Sequence, residues 1–153
     1  MATLAMESAE VIEKPVFFPE IRDKAIVTFG EECSAKSDEL LRGYELPDGL
    51  LPLKDVVEGG WVEETGFVWM VLGDAQQHHF AKADRFCYYD ELITCTVSPK
   101  RMKDIHGVKA KDFGIWVPIN EIYIDEKNPE TIVFKSIMGL SRSFPVSHFV
   151  KDA

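Results

Sequence analysis

Residues 60–72, GWVEETGFVWMVL, place two β-prone runs, Gly60–Val62 and Phe67–Leu72, on either side of Glu63-Glu64-Thr65-Gly66. Val, Phe and Trp suit a half-buried pleated surface, and Gly66 supplies the positive φ that a short hairpin turn needs. The stretch predicts an antiparallel hairpin, and the sequence downstream extends it. His79–Tyr89 and Glu91–Val97 read as strands; in the second, Ile93, Cys95 and Val97 face one way and Leu92, Thr94 and Thr96 the other. Phe113–Ile124 predicts a long strand in which Pro118 marks an edge or a bulge. Thr131–Ile137 predicts another, and SFPVSHF a short last one. Upstream of the hairpin, ELPDGLLPLKDV is an irregular apolar connector expected to plug against the core.

Before the connector the period changes. Ile21, Ala25, Phe29 and Cys33 step by four, and Leu40, Leu41 and Tyr44 form a second apolar patch, which predicts a helical segment over 20–45. Pro19 fits a first helical position, Gly30 interrupts the stripe, and Leu46-Pro47 ends it. Residues 1–18 lack a period and are expected to be a flexible arm, leaving 19–153 as a single domain. The strands lie too close together for crossover helices. The expected fold is therefore mainly β (α+β): a closed or nearly closed antiparallel β-barrel of about seven strands over 50–150, with an N-terminal helix.

A chain of 153 residues, 46% hydrophobic and 28% charged, supports one core and no second domain. Its formal charge of -9 opposes a broad grip on a phosphate backbone, which argues against nucleic-acid binding. The charge is uneven: residues 1–50 carry 5 basic and 11 acidic groups, residues 98–153 carry 9 and 7. The stretch Lys100, Arg101, Lys103, Lys109 and Lys111 stands out, either as a solvated loop or as a contact for anionic head groups at a membrane surface. The opening residues have no basic n-region and no long apolar run, and no Asn-x-Ser/Thr acceptor occurs. The expectation is a cytoplasmic protein whose contact with internal membranes, if any, is peripheral.

Catalytic signatures are missing. Cys33, Cys87 and Cys95 form neither a CxxC pair nor a thiol-activating motif, and Cys95 alternates with apolar neighbours as a packed residue does. His78 and His79 are adjacent, so on a strand they point to opposite faces; His106 and His148 have no zinc spacing. GxSxG, Walker and GxGxxG patterns do not occur, and neither a metal nor a cofactor is expected. Aromatic residues crowd the strands instead, either filling the interior or lining an apolar cavity. On the second reading Trp69, Trp116 and Phe134 line the cavity, and Lys109, Lys111 and Arg142 stand near its mouth.

The strings LPDGLLPLKDV (46–56), ETGFVW (64–69), GVKAKDFGIWVPINEIYID (107–125) and LSRSFPVSHF (140–149) together resemble the plant family called domain of unknown function 538. Within it, the closest likeness is to the short branch of trichome-development proteins known as smaller with variable branches. The stretch GDAQQHHFAKAD has no clear place on the family pattern. The resemblance implies a β-barrel with an N-terminal helix, similar in outline to lipid-binding proteins of the bactericidal permeability-increasing type. It also implies a setting in stress responses and epidermal-cell development. The expected function is non-enzymatic binding of an apolar or amphipathic ligand, a lipid above all. The alternatives are an enzyme acting on a hydrophobic plant metabolite or ester, and a protein-interaction adaptor.

Overall fold

A computed structural model describes residues 17–151. The central hairpin forms as the sequence predicts: β2 (Val56–Val62, following β1, Ile26–Phe29) pairs with β3 (Phe67–Leu72), and Gly66 closes the turn at φ +83°. A Cβ at Gly66 would lie 2.2 Å from the Val97 carbonyl oxygen, so only glycine fits this turn. The remaining strands are β4 (Gln76–Phe80), β5 (Arg85–Ser98), β6 (Arg101–Asp112), β7 (Ile115–Ile124), β8 (Thr131–Ser136) and β9 (Ser141–Pro145). All nine belong to one antiparallel sheet, in the order β1-β2-β3-β5-β6-β7-β8-β9 with β4 paired to β5. The sheet is not closed. β1 and β9 end the main strand order and β4 has no partner but β5, which corrects the expected barrel of about seven strands.

The helical segment expected over 20–45 divides. Arg22–Lys24 is a single 3₁₀ turn, Ile26–Phe29 is β1, and only α1 (Glu32–Gly43) is an α-helix. The β-branched run Ile26-Val27-Thr28 pairs with Gly59–Trp61, and Gly30 at φ +61° turns the chain into α1. Pro19 consequently lies in a turn rather than at a helix start. The expected flexible arm falls mostly outside the described residues, but Phe17 and Phe18 lie within them. The Phe18 ring sits 5.1 Å from Phe67 and 5.2 Å from Trp69.

Strand β5 organises the sheet. Its N-terminal half pairs with β4, its C-terminal half with β3, and its other edge with β6. His79–Tyr89 and Glu91–Val97 are thus not two strands: the first spans β4 and the start of β5, and the second continues β5. Ile93, Cys95 and Val97 are buried as their alternation predicts. Pro118 lies inside the sheet, on β7 between β6 and β8, and the register shifts on both sides of it, so it marks an irregularity and not an edge.

The core lies on one face of the sheet. α1 covers it through Leu41, and the connector inserts Leu46 and Leu50, where the Leu50 carbonyl accepts the buried Tyr89 hydroxyl at 3.3 Å. The connector is tied to the C-terminus: Gly49 N–H donates to the Phe149 carbonyl at 2.7 Å, and Lys151 N–H donates to Asp48 Oδ1 at 2.8 Å. That bond, with Arg42 nearby, holds the Asp48 carboxyl below its usual range. No helix among the described residues is long and apolar enough to cross a membrane.

Candidate functional site

The antiparallel register brings three hairpin turns to one end of the sheet: β4–β5, β6–β7 and β8–β9. Between them, on the core face, an apolar pocket opens with a floor of Phe80, Phe134, Phe144 and Phe149. These rings pack at centroid distances of 5.0 to 5.8 Å, mostly edge to face. The free volume is about 40 Å³. A single water needs roughly 10–15 Å³ on that measure, so this pocket admits the end of a chain, not a whole lipid.

Charge gathers at the pocket's rim. Arg142 Nη2 lies 2.9 Å from Asp112 Oδ2, and Arg85 Nη1 lies 3.5 Å from Asp112 Oδ1. One carboxylate thus faces two guanidinium groups, leaving an excess positive charge beside an apolar cavity. Each arginine is also held over an aromatic ring, Arg85 over Phe144 at 5.5 Å and Arg142 over Phe113 at 5.6 Å. The opposite wall is the β8–β9 turn, braced by buried Ser136, whose hydroxyl accepts the N–H groups of Met138 and Leu140 at 3.2 Å each. Leu140 itself lines the opening.

The six residues expected at a ligand site divide among three places. Phe134, Arg142 and Lys111 line the pocket. Lys109 and Trp116 belong to the adjacent outer face of β5–β7, where Lys109 lies over Tyr88, Lys111 over Trp116, and the Tyr88 and Trp116 rings are 5.9 Å apart. Trp69 is elsewhere. It is fully buried outside the main core, with its Nε1 donating to Glu58 Oε2 at 2.7 Å and Arg22 bonded to the same oxygen. A Cβ at Gly60 would come within 2.3 Å of the Trp69 ring, so the glycine makes room for the indole.

Lys100–Lys111 is not the solvated loop considered above. It is a tight turn followed by β6, whose Met102, Ile105 and Val108 are buried. The segment runs the length of the sheet, roughly 30 Å at ~3.3 Å per residue. Lys100 pairs with Glu45 and Arg101 with Glu121 at the far end, while Lys109 and Lys111 stand beside the pocket. Phe80, Arg85, Asp112, Phe144 and Phe149 also line the pocket and are not among the residues the sequence points to as a site. The only signal was the clustering of Arg142, Phe144 and Phe149 in LSRSFPVSHF, because Arg85 and Asp112 meet through strand register alone.

Of the residue types used in catalysis, His78 on β4 and Cys87 on β5 are cross-strand partners, and Cys87 lines the pocket. Burial pushes the Cys87 and Cys95 thiols up to about 12, so at neutral pH neither is a thiolate. His79 pairs with Asp84 at 2.9 Å on the exposed β4–β5 hairpin. His78, packed on Phe80, has its pKa lowered mainly by burial and then by neighbouring Lys54. His106 and His148 lie on β6 and in the C-terminal 3₁₀ turn. No cluster of metal-ligating side chains occurs among the described residues.

Fold and site together define an open antiparallel β-sheet protein with an apolar pocket and an arginine rim. The family model described as protein of unknown function, DUF538, matches residues 37–150, so the chain belongs to that family. No curated protein and no solved structure matches it.

Proposed function

We propose that this protein binds a small amphipathic anion, the apolar end entering among Phe134, Phe144 and Phe149 and the head group resting on Arg85 and Arg142. The observation that carries this reading is the pairing of two guanidinium groups with one carboxylate at the mouth of a phenylalanine-lined cavity. An incoming carboxylate or phosphate competes with Asp112 for donors already in place, so ordering costs are small. The apolar end gains by burial, at about 25 cal/mol per Å² removed from water. A lipid or lipid-derived acid fits this chemistry. As part of the same proposal, the chain belongs with the trichome branch of the family, its setting is plant stress and epidermal development, and it lies in the cytoplasm or peripherally on an internal membrane.

Calorimetric titration with decanoate below its micellar concentration tests the reading. Saturable binding is expected, with decylamine failing to bind and Arg85→Gln/Arg142→Gln lowering affinity at least tenfold. Equal binding of the amine, or no saturable decanoate binding, contradicts it.

An adaptor role is favoured by one separate observation. Edge strand β1 exposes Ile26 and Phe29 together with an unpaired backbone edge, a geometry that accepts a partner's strand. Strand addition there predicts that Val27→Pro abolishes partner capture and leaves decanoate binding intact.

A further inference from the structure

The turns around the pocket carry more exposed apolar surface than a solvated end needs. Phe113 is 89% exposed, Met138 67%, Ile115 64% and Ile137 63%, with Leu140 beside them. They come from two hairpin tips, β6–β7 and β8–β9, and Arg142 over Phe113 links the two. Scattered apolar residues on a surface are ordinary; five together at one end, ringed by charge, mark an interaction site.

Phe113 is unfavourable in a second way. It occupies φ +52° and Gly114 φ +77°, the double positive-φ geometry of a two-residue turn that favours Asn-Gly. A bulky aromatic side chain is disfavoured in that conformation, and here it is also left in water. A residue that weakens both local geometry and solvation points to a role outside the folded chain itself.

Charge identifies the occupant. Residues 80–86, 109–116 and 135–143, which form this end, carry six basic side chains and two acidic ones in a chain of net charge -9. Apolar tips projecting from a basic collar match an anionic bilayer, where side chains enter the acyl boundary and cations meet head groups.

We propose that this end of the sheet docks on an anionic lipid surface, with Phe113 and Met138 as the inserting side chains and Lys109, Lys111 and Lys135 meeting the head groups. The arginine-rimmed pocket then faces the membrane. The inference deepens the ligand-binding reading by naming where the ligand is collected, and it rests on that reading only for its purpose.

Vesicle flotation of the full chain tests it. The protein is expected to float with phosphatidylserine–phosphatidylcholine vesicles, to release them at high salt, and to ignore phosphatidylcholine alone. Phe113→Asn/Met138→Gln should weaken flotation at least tenfold while melting temperature is kept or raised, and Met138→Gln alone should leave decanoate titration unchanged. Lys100→Glu/Lys127→Glu, at the far end, should float as the parent does. Three results overturn the proposal: no flotation of the parent, unaltered flotation of the tip variant, or loss in the far-end variant. A protein that self-associates through the tips and ignores vesicles also overturns it. Flotation without decanoate binding would sink the pocket reading and leave docking standing; the reverse would sink docking alone.

Discussion

The two ends of the sheet are built alike and surfaced differently. At the pocket end, turns β4–β5, β6–β7 and β8–β9 expose Phe113, Ile115, Ile137, Met138 and Leu140 within a basic collar. At the far end, residues 62–67, 97–102 and 124–131 carry five acidic and three basic side chains and no exposed large apolar residue. Along the strands between them, alternation decides each residue, because inward positions must be apolar. Turns lack that constraint. Their composition can follow function, and the two ends differ where folding leaves them free.

Paired core deletions sharpen this contrast most strongly. Trp69→Ala and Phe134→Ala should each cost about 3–5 kcal/mol in chemical denaturation, since both empty well-packed sites. Only Phe134→Ala should also abolish decanoate binding. Loss of binding in Trp69→Ala would move the ligand site to the opposite side of the sheet. Asp112→Asn comes next: losing the charged partner of two arginines should cost about 1–3 kcal/mol, yet raise decanoate affinity severalfold by removing the internal competitor.

The connector gives a pH-dependent control away from both ends. Asp48 has a lowered folded pKa, chiefly through the Lys151 N–H. Its contribution is therefore present above the unfolded carboxylate value of about 3.9 and lost as pH falls through the lower folded value. Asp48→Asn should cost about 1–2 kcal/mol at neutral pH and flatten the acid limb of the stability curve below pH ~4, with binding unchanged. The smallest effect belongs to Phe113→Asn alone, which should stabilise by about 1 kcal/mol as the strained turn relaxes. Destabilisation by that change would remove the argument from turn strain.

The middle of the molecule was legible in the sequence and its ends were not. GWVEETGFVWMVL declares its hairpin through local alternation and one turn glycine, and Ile93, Cys95 and Val97 declare their buried face. The segment before α1 misled because its four-residue spacing is helical while its β-branched run pairs with Gly59–Trp61, some thirty residues on. Sheet closure was not legible either, since it depends on whether β1 meets β9, the farthest strands in sequence. Of the residues expected at a site, Phe134 and Arg142, an aromatic and a cation on late strands, come to line the pocket. Arg85 and Asp112 are not legible locally, because the Cys87–Ala110 register brings them together and neither local sequence records it. Trp69 lies apart from the pocket for the converse reason: strand alternation marks a face, and the partner on that face is the Phe18–Arg22 segment.

Hydrogen-exchange mass spectrometry with and without phosphatidylserine-containing vesicles, repeated with decanoate alone, compares the two ends in one experiment. The account predicts vesicle protection at 80–86, 109–116 and 135–143, decanoate protection within the pocket-lining parts of the same segments, and no change at 62–67, 97–102 or 124–131. Protection centred on the far turns, or no protection with either addition, would contradict the claim that the arginine-rimmed end is the working end of this protein.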